Sequence, residues 1–416
     1  MSSTSSRLGL NASTASLLVV ILLIAAGYEL FKPFMPSYIA KDEVEKNILL
    51  VGLFGTFTDL LEGVYYRLGG RIGGRLGARK SLFLFCSMPI VGAAILIFGP
   101  IGAGPFLALP LLQAWDSISA PSTLNVIGET LRPERRTLAL SLQSILRRVP
   151  RLGAYIVGGV MMQRMGERMG VHRAAEVFMG LATLALVVQL RYLRVEGKDA
   201  AQARAPFFAT LRAFPGDLKV LLVSDILVRL CEGFTRVLEV LYLTKAIVPD
   251  RAPWISKETY GELLALNVLV SLVIYVPIAL AASKEGAGKK PYIGLTFVFF
   301  ALFPLAVWAA PQFGTAGLLA AFVVMGLREI GEPARKAMIT ELVPRDLKTE
   351  ATGIYWSARS FCVMFAPALG AIAWKLFGPT APFLIGCGIG TVGAIYFHTR
   401  FARGGATTAT APATPP

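Results

Sequence analysis

The sequence predicts an all-α membrane protein with twelve transmembrane helices, arranged as two pseudo-symmetric bundles of six. Three observations support this prediction: an apolar composition, repeated apolar runs, and an internal repeat. Hydrophobic residues make up 55% of the 416-residue chain, charged residues only 16%, and the mean hydropathy is +0.61. A helix that crosses a bilayer needs ~20 mostly apolar residues, and such runs recur along the whole chain. The composition therefore excludes an ordinary soluble protein.

The apolar runs define the individual elements. In the first half they predict spans at 16–39, 47–68, 82–98, 106–131, 137–162 and 174–190. In the second half they predict spans at 220–247, 260–282, 292–310, 316–342, 351–374 and 382–397. We therefore divide the chain into a disordered N-terminus (1–15), a first six-helix bundle (16–193), a cytoplasmic linker (194–219), a second six-helix bundle (220–399) and a disordered tail (400–416).

The linker contains one apolar pattern of its own. Phe207, Phe208, Leu211 and Phe214 recur at helical spacing, which predicts a short helix. Such a helix either lies on the membrane surface or packs against the protein itself, and the pattern fits both interpretations equally.

The net charge of +15 is concentrated in alternate loops. Lys and Arg cluster at 71–80, 132–136, 191–212 and 284–290, whereas the loops at 99–104 and 311–315 carry none. Positive residues mark cytoplasmic loops, so we expect a multi-pass protein with both termini in the cytoplasm, in a bacterial inner membrane. The lipid bilayer is therefore an expected partner, and nucleic acid is not.

Parts of the two halves match at a constant spacing. Residues 212 positions apart agree across two spans and their connecting loop, as in Pro121 with Pro333, Arg147 with Arg359, and Gly158 with Gly370. A slightly smaller spacing pairs Glu29 with Glu232. One register held over this length indicates an internal repeat.

The seventh predicted span carries a stripe of charge. Its charged residues follow the helical repeat and share an arc of roughly 80°: Asp225, Arg229, Glu232, Arg236 and Glu239. Ionised groups in hydrocarbon cost several kcal/mol, so this face should meet protein or a water-filled cavity. The stripe is either functional or an ion-pair ladder that neutralises itself.

Other intramembrane charges extend the set of candidates. The candidate proton-coupling acids are Glu29, Asp59, Asp116, Asp225, Glu232, Glu329 and Glu332. The candidate solute-binding or charge-pairing bases are Lys32, Arg147, Arg229, Arg236, Arg328 and Arg359, because Arg offers a fixed fork of donors for anions. We expect Arg151 to be solvated or at the headgroups, and Tyr355 and Trp356 either to pack or to stack on a solute.

The loop after the second span resembles the signature loop of the major facilitator superfamily. The matching residues are Gly70, Arg75, Gly77, Arg79 and Lys80, whereas Gly74 replaces the Asp of the family and Ala78 a basic residue. Gly158 and Gly159 are similar to part of a glycine motif in the family's proton antiporters, without its Pro. The resemblance implies a cavity lined by the first, fourth, seventh and tenth helices, with the third, sixth, ninth and twelfth facing lipid. The nearly charge-free spans of this chain are the latter four.

The resemblance implies a secondary active transporter that moves a small organic solute by alternating access, coupled to protons, with efflux favoured over uptake. Uptake of an organic anion is one alternative, and a transport-inactive sensor or scaffold is another. The sequence has no GxxxxGK[ST] phosphate loop, and we predict no cofactor, no metal site, no catalytic residue and a monomeric protein. The four cysteines have no CxxC pairing and should be free thiols.

Overall fold

The computed structural model describes residues 12–100, 102–119, 123, 133–194, 207–245, 247, 252–282, 288–343 and 348–404. In these segments every regular element is a helix, so the predicted all-α fold is confirmed. All four cysteines are free. Residues 1–11, most of 120–132 with Pro121, residues 195–206 and residues 405–416 lie outside the described part of the chain.

The chain divides into two compact units that do not follow the sequence halves strictly. The first unit contains residues 1–203 and 237–269, and the second contains 204–236 and 270–416. The bundle boundaries at 193 and 220 stay a prediction.

The first unit contains the helices before residue 203 and residues 237–269, which begin with the end of the seventh predicted span. Its helices are α1 (Ala12–Tyr28), α2 (Met35–Ala40), α3 (Val44–Leu76), α4 (Ala78–Phe98), α5 (Gly104–Leu112), α6 (Ala114–Ile118), α7 (Pro133–Met165), α8 (Glu167–Tyr192), α11 (Glu239–Thr244) and the first half of α12 (Lys257–Ala282).

The second unit contains α9 (Phe207–Arg212), α10 (Gly216–Arg236), the second half of α12, α13 (Lys290–Ala309), α14 (Gly314–Leu327), α15 (Glu332–Leu342), α16 (Lys348–Val363), α17 (Ala366–Phe377) and α18 (Ala381–Gly404). Its core is apolar and includes Leu218, Val228, Phe297, Ile339 and Phe397.

Eight helical stretches in the described segments are long and apolar enough to cross a membrane, as expected of an integral membrane protein. One of them, Lys290–Ile339, is 50 residues long and contains the ninth predicted span and most of the tenth. The fourth, fifth and seventh predicted spans are also helical where described, but they are interrupted or more highly charged. A total of twelve crossings stays a prediction.

Several predicted boundaries need correction. The first helix begins at Ala12, within the stretch expected to be disordered, and α18 continues into the expected tail as far as Gly404. The signature loop is mostly helical, because α3 runs to Leu76 and α4 starts at Ala78. Gly77 alone separates them, with a φ of 78° that favours glycine.

The seventh span is not one helix. It ends as α10 at Arg236, and α11 resumes at Glu239, so the predicted five-residue stripe is interrupted. The first span is interrupted in the same way, with a turn at residues 29–31 before a 3-10 helix at Lys32–Phe34. Pro33 and Pro36 lie at the starts of the segments that follow, where proline is tolerated.

Two glycines of the predicted repeat, Gly158 and Gly370, pack in the same way in their two units. A Cβ added to Gly158 of α7 would collide with the backbone carbonyl of Leu30, and one added to Gly370 of α17 would collide with that of Phe234. Both glycines therefore allow a helix to approach the backbone of an interrupted span closely.

We expect Gly158→Ala and Gly370→Ala to lower the free energy of unfolding by about 1–3 kcal/mol each, because neither backbone carbonyl can move aside easily. Thermal unfolding of the purified protein in detergent measures the effect. Gly153→Ala in α7 and Gly353→Ala in α16 are matched controls, since nothing lies within 4 Å of the added Cβ. Equal losses in all four variants would contradict the packing argument.

Candidate functional site

The central feature of the second unit is the charged face of α10. Asp225, Arg229 and Glu232 lie on successive turns of a helix whose other faces are mostly apolar. Their side chains are 0%, 21% and 19% exposed, so the stripe is buried in the protein rather than turned outward.

Asp225 binds groups from two other helices. Arg335 of α15 donates to its Oδ1 atom, and the Tyr355 hydroxyl of α16 donates to Oδ2 at 3.2 Å. Nη1 of Arg359, one turn further along α16, lies 3.7 Å from the same Oδ2. Asp225 is fully buried and Arg335 is 1% exposed, so this ion pair is dry.

The contacts continue from Arg335 towards the more accessible residues. Arg335 also donates to Glu332, whose other oxygen lies 3.3 Å from Nζ of Lys336. Nη1 of Arg229 donates to Glu232 at 2.7 Å, and Nη2 lies 3.9 Å from Glu332.

Arg328 completes the set, with Nη1 3.4 Å from Glu232. We call these residues the ion-pair network: Asp225, Arg229, Glu232, Arg328, Glu332, Arg335 and Arg359.

Aromatic rings cover the faces of the guanidinium groups. The Phe300 ring centroid is 4.8 Å from the guanidinium carbon of Arg229 and 4.9 Å from that of Arg328. Trp356 stacks on Arg359 in the same way at 4.4 Å. Because ring stacking occupies the faces, only the N–H edges of these arginines remain to bind carboxylates or an anionic ligand.

The first unit holds a smaller cluster around Glu29, which is 3% exposed. Nε of Arg151 lies 3.0 Å from Glu29, and the Tyr155 hydroxyl donates to it at 3.1 Å. Lys32 lies between two acids, 3.5 Å from Glu29 and 3.8 Å from Asp116. The expectation that Arg151 is solvated or at the headgroups is wrong, because it pairs with a buried acid of the first span.

A second cluster of the first unit surrounds Glu167, the first residue of α8. Its carboxylate lies 2.8 Å from Nζ of Lys245 and 2.9 Å from Nζ of Lys257, and the Ser37 hydroxyl donates to it. Asp42 lies 3.4 Å from Lys245. We call these residues the Glu167 cluster: Ser37, Asp42, Glu167, Lys245 and Lys257.

Glu239 does not join the rest of the stripe. It is 4% exposed and accepts a hydrogen bond from Tyr260 of α12 at 2.9 Å, within the first unit. The interruption after Arg236 therefore divides the predicted stripe between two units.

The remaining candidates differ in their burial. Asp59 is buried in α3, Arg147 is partly buried in α7, and Glu329 is partly buried in the turn after α14. Arg236 is exposed at the end of α10, and the signature-loop residues Arg75, Arg79 and Lys80 are exposed as well.

Sequence reasoning missed Arg335, Tyr155 and the Glu167 cluster as site residues. Arg335 was visible as an intramembrane charge three positions after Glu332, a spacing that places two residues on one helical face. The Glu167 cluster joins residues far apart in sequence, and no local spacing predicts it.

Residues 221–415 match the family model of the Major Facilitator Superfamily. A search of curated proteins finds no match.

Similar solved structures include three transporters. The first, a POT family transporter in complex with 5-aminolevulinic acid, has a TM-score of 0.75 at 13% identity, covering 96% of this chain and 97% of that one. The nucleoside transporter NupG gives 0.74 at 14% identity, covering 93% and 99%. A peptide transporter POT in complex with alafosfalin gives 0.73 at 14% identity, covering 96% and 95%. These structures support the predicted helical transporter fold, and the family model supports the predicted resemblance over residues 221–415.

We expect Asp225→Asn to lower the free energy of unfolding by about 3 kcal/mol or more, because it leaves Arg335 buried with less neutralising charge. Thermal unfolding of the purified protein measures the loss. The double variant Asp225→Asn with Arg335→Gln should recover part of it.

Glu43→Gln is the control for this prediction. It breaks an exposed ion pair with Lys46 and should change stability by less than about 1 kcal/mol. A loss for Asp225→Asn no greater than for Glu43→Gln would show that the buried pair does not hold the second unit together.

Proposed function

We propose that this chain, which has the fold of major facilitator superfamily transporters, is a secondary active transporter that moves a small organic solute by alternating access and couples it to protons. The observation that carries the proposal is the ion-pair network. Charges within membrane-spanning segments are costly, and their presence there points to an ion or solute pathway.

The exposures within the network suggest a division of roles. Asp225 and Arg335 are dry, and we assign them to holding the helices together. Glu232 and Glu332 are 19% and 12% exposed, and we propose them as the proton-accepting acids of the second unit. A carboxylate that takes up a proton loses its attraction for guanidinium, so protonation of Glu232 would release N–H edges of Arg229 and Arg328.

In the first unit we propose Glu29 and Asp116 for the same role. Lys32 lies between them, so protonation of either acid would shift Lys32 towards the other. Asp59, Glu329, Arg147 and Arg236 stay candidates on sequence grounds.

The solute we propose carries an anionic group. The network contains four arginines, Arg229, Arg328, Arg335 and Arg359, against three acids, Asp225, Glu232 and Glu332, which leaves one positive charge. Similar folds have been solved with 5-aminolevulinic acid and with sulfate. This excess of positive charge favours organic-anion uptake as a second candidate beside efflux, the direction favoured from the sequence.

We further propose that the protein is a monomer in a bacterial inner membrane, with both termini in the cytoplasm. The basic loops that support this orientation include the exposed Arg75, Arg79 and Lys80.

We propose that the Glu167 cluster is a latch that opens during alternating access. Lys245 and Lys257 belong to the ends of the seventh and eighth spans, whereas Glu167 begins the sixth. Lys245 and Glu167 are only 8% and 12% exposed, so their attraction is less screened than that of a surface pair. An outward-facing state would have to break these contacts.

A flux assay in proteoliposomes tests proton coupling. With 5-aminolevulinic acid, a dipeptide and a nucleoside as probes, we expect an imposed pH gradient to stimulate wild-type flux of at least one probe. Glu232→Gln should lose this stimulation but keep solute exchange without a gradient, because the amide cannot take up a proton. Glu176→Gln, which alters an exposed pair with Arg173, is the control and should behave as wild type.

The sign of the gradient that drives flux separates efflux from uptake. Gradient-driven flux that is unchanged in Glu232→Gln would refute the role of this acid. No flux of any probe, with binding retained, would favour a transport-inactive sensor or scaffold.

Labelling of a buried cysteine tests the latch. Thr244, next to Lys245, is 5% exposed, and we expect Thr244→Cys to react severalfold faster with a maleimide when Glu167→Gln is added. Glu167→Lys combined with Lys245→Glu should slow the reaction again by restoring one opposite-charge pair. Glu176→Gln on the same helix is the control, and equal rates with Glu176→Gln and Glu167→Gln would refute the latch.

A further inference from the structure

The helix α9 in the linker is amphipathic, and its two faces meet different surroundings. Its inner face packs on the second unit: Phe207 and Leu211 contact the core, and Phe214, just after the helix, is 3% exposed. Its outer face carries Phe208, which is 71% exposed, and the exposed Arg212. Packing against the protein is therefore confirmed for the inner face, and membrane contact stays a prediction for the outer face.

The short connection between α9 and α10 limits how far α9 can lie from the end of α10. The helix α10 has 21 residues and is ~32 Å long, close to the ~30 Å thickness of the hydrocarbon core. Only residues 213–215 separate α9 from α10, and three residues span at most ~11 Å. Because Phe214 is also buried in the core, α9 is held next to the N-terminal end of α10, the end that meets the headgroups if α10 crosses the bilayer.

Positive charge collects at this end of the second unit. Nζ of Lys219 donates to the carbonyl of Arg212 at 2.7 Å, at the C-terminal end of α9. Lys290, at the start of α13, stacks on Phe401, which belongs to the same core as Phe214. Arg212, Lys219 and Lys290 carry three positive charges. Asp217, in the first turn of α10, carries one negative charge, so these four residues have a net charge of +2.

We propose that the outer face of α9 binds the membrane surface, with Phe208 inserted between lipids and Arg212, Lys219 and Lys290 bound to anionic phospholipid headgroups. An exposed aromatic ring beside cations is typical of segments at the interface, where the ring leaves water and the cation meets phosphate. Each cation near an anionic surface contributes about 1 kcal/mol, equivalent to roughly fivefold in lipid preference. The proposal does not depend on transport.

Two measurements on the full chain in nanodiscs test it. Spin-labelled phosphatidylglycerol should associate in preference to phosphatidylcholine, and Arg212→Gln and Lys219→Gln should each reduce the preference by about fivefold. Lys375→Gln is the matched control, since it removes an exposed cation of the same unit from the last turn of α17. Salt should weaken the preference in the wild type.

The second measurement locates Phe208 itself. A fluorophore on Phe208→Cys, in a background with Cys362→Ala and Cys387→Ala, should be quenched by lipid-dissolved and not by aqueous quenchers. Quenching by aqueous quenchers would overturn the proposed insertion of Phe208 between lipids and would favour a soluble partner for the outer face of α9. Lipid quenching with equal headgroup preference in Arg212→Gln and Lys375→Gln would overturn the recognition of anionic lipid.

Discussion

The pairing of Asp225 with Arg335 is the constraint on which the second unit depends. Neither side chain has more than 1% exposure, so each charge relies on the other for most of the solvation it has lost. The pair joins α10 to α15, and the Tyr355 hydroxyl joins α16 to the same carboxylate. Three helices from separate parts of the sequence are thus fixed around one acid, and the more accessible Glu232 and Glu332 are arranged from that fixed point.

The two units use similar chemistry without similar sequence positions. In each, a buried acid binds an Arg and a Tyr one turn apart on a single helix: Glu29 with Arg151 and Tyr155, and Asp225 with Arg359 and Tyr355. The order along the helix is reversed, since Arg precedes Tyr in α7 and follows it in α16. The 212-residue repeat therefore predicts the glycine packing of both units but not the partners of the acids, because a long side chain reaches a target from more than one helical position.

Hydropathy and helical spacing were sufficient to predict the helical membrane fold and the burial of the face that carries Asp225, Arg229 and Glu232. They failed where the determining contact is between distant segments. Arg151 lies in a run of basic residues with no acid nearby in sequence, and only the position of Glu29 within the unit shows that it is paired. The signature segment was interpreted as a loop because of its glycines and charges, yet only Gly77 needs a conformation that a helix cannot provide. Glycine within a helix costs only about 1 kcal/mol, which the packing of long helices can offset.

The interruption of the seventh span at residues 237–238 connects the fold to the proposed mechanism. A continuous helix would have placed Glu239 about two turns beyond Glu232 on one rigid helix, so both acids would move together. Instead α10 belongs to the second unit and α11 to the first, and Glu239 binds Tyr260 while Glu232 binds Arg229 and Arg328. The interruption after Arg236 therefore places Glu232 and Glu239 on two separate helical segments. If Glu232 takes up a proton as proposed, the ion pairs that change are those with Arg229 and Arg328 in the second unit, whereas Glu239 keeps its own partner, Tyr260.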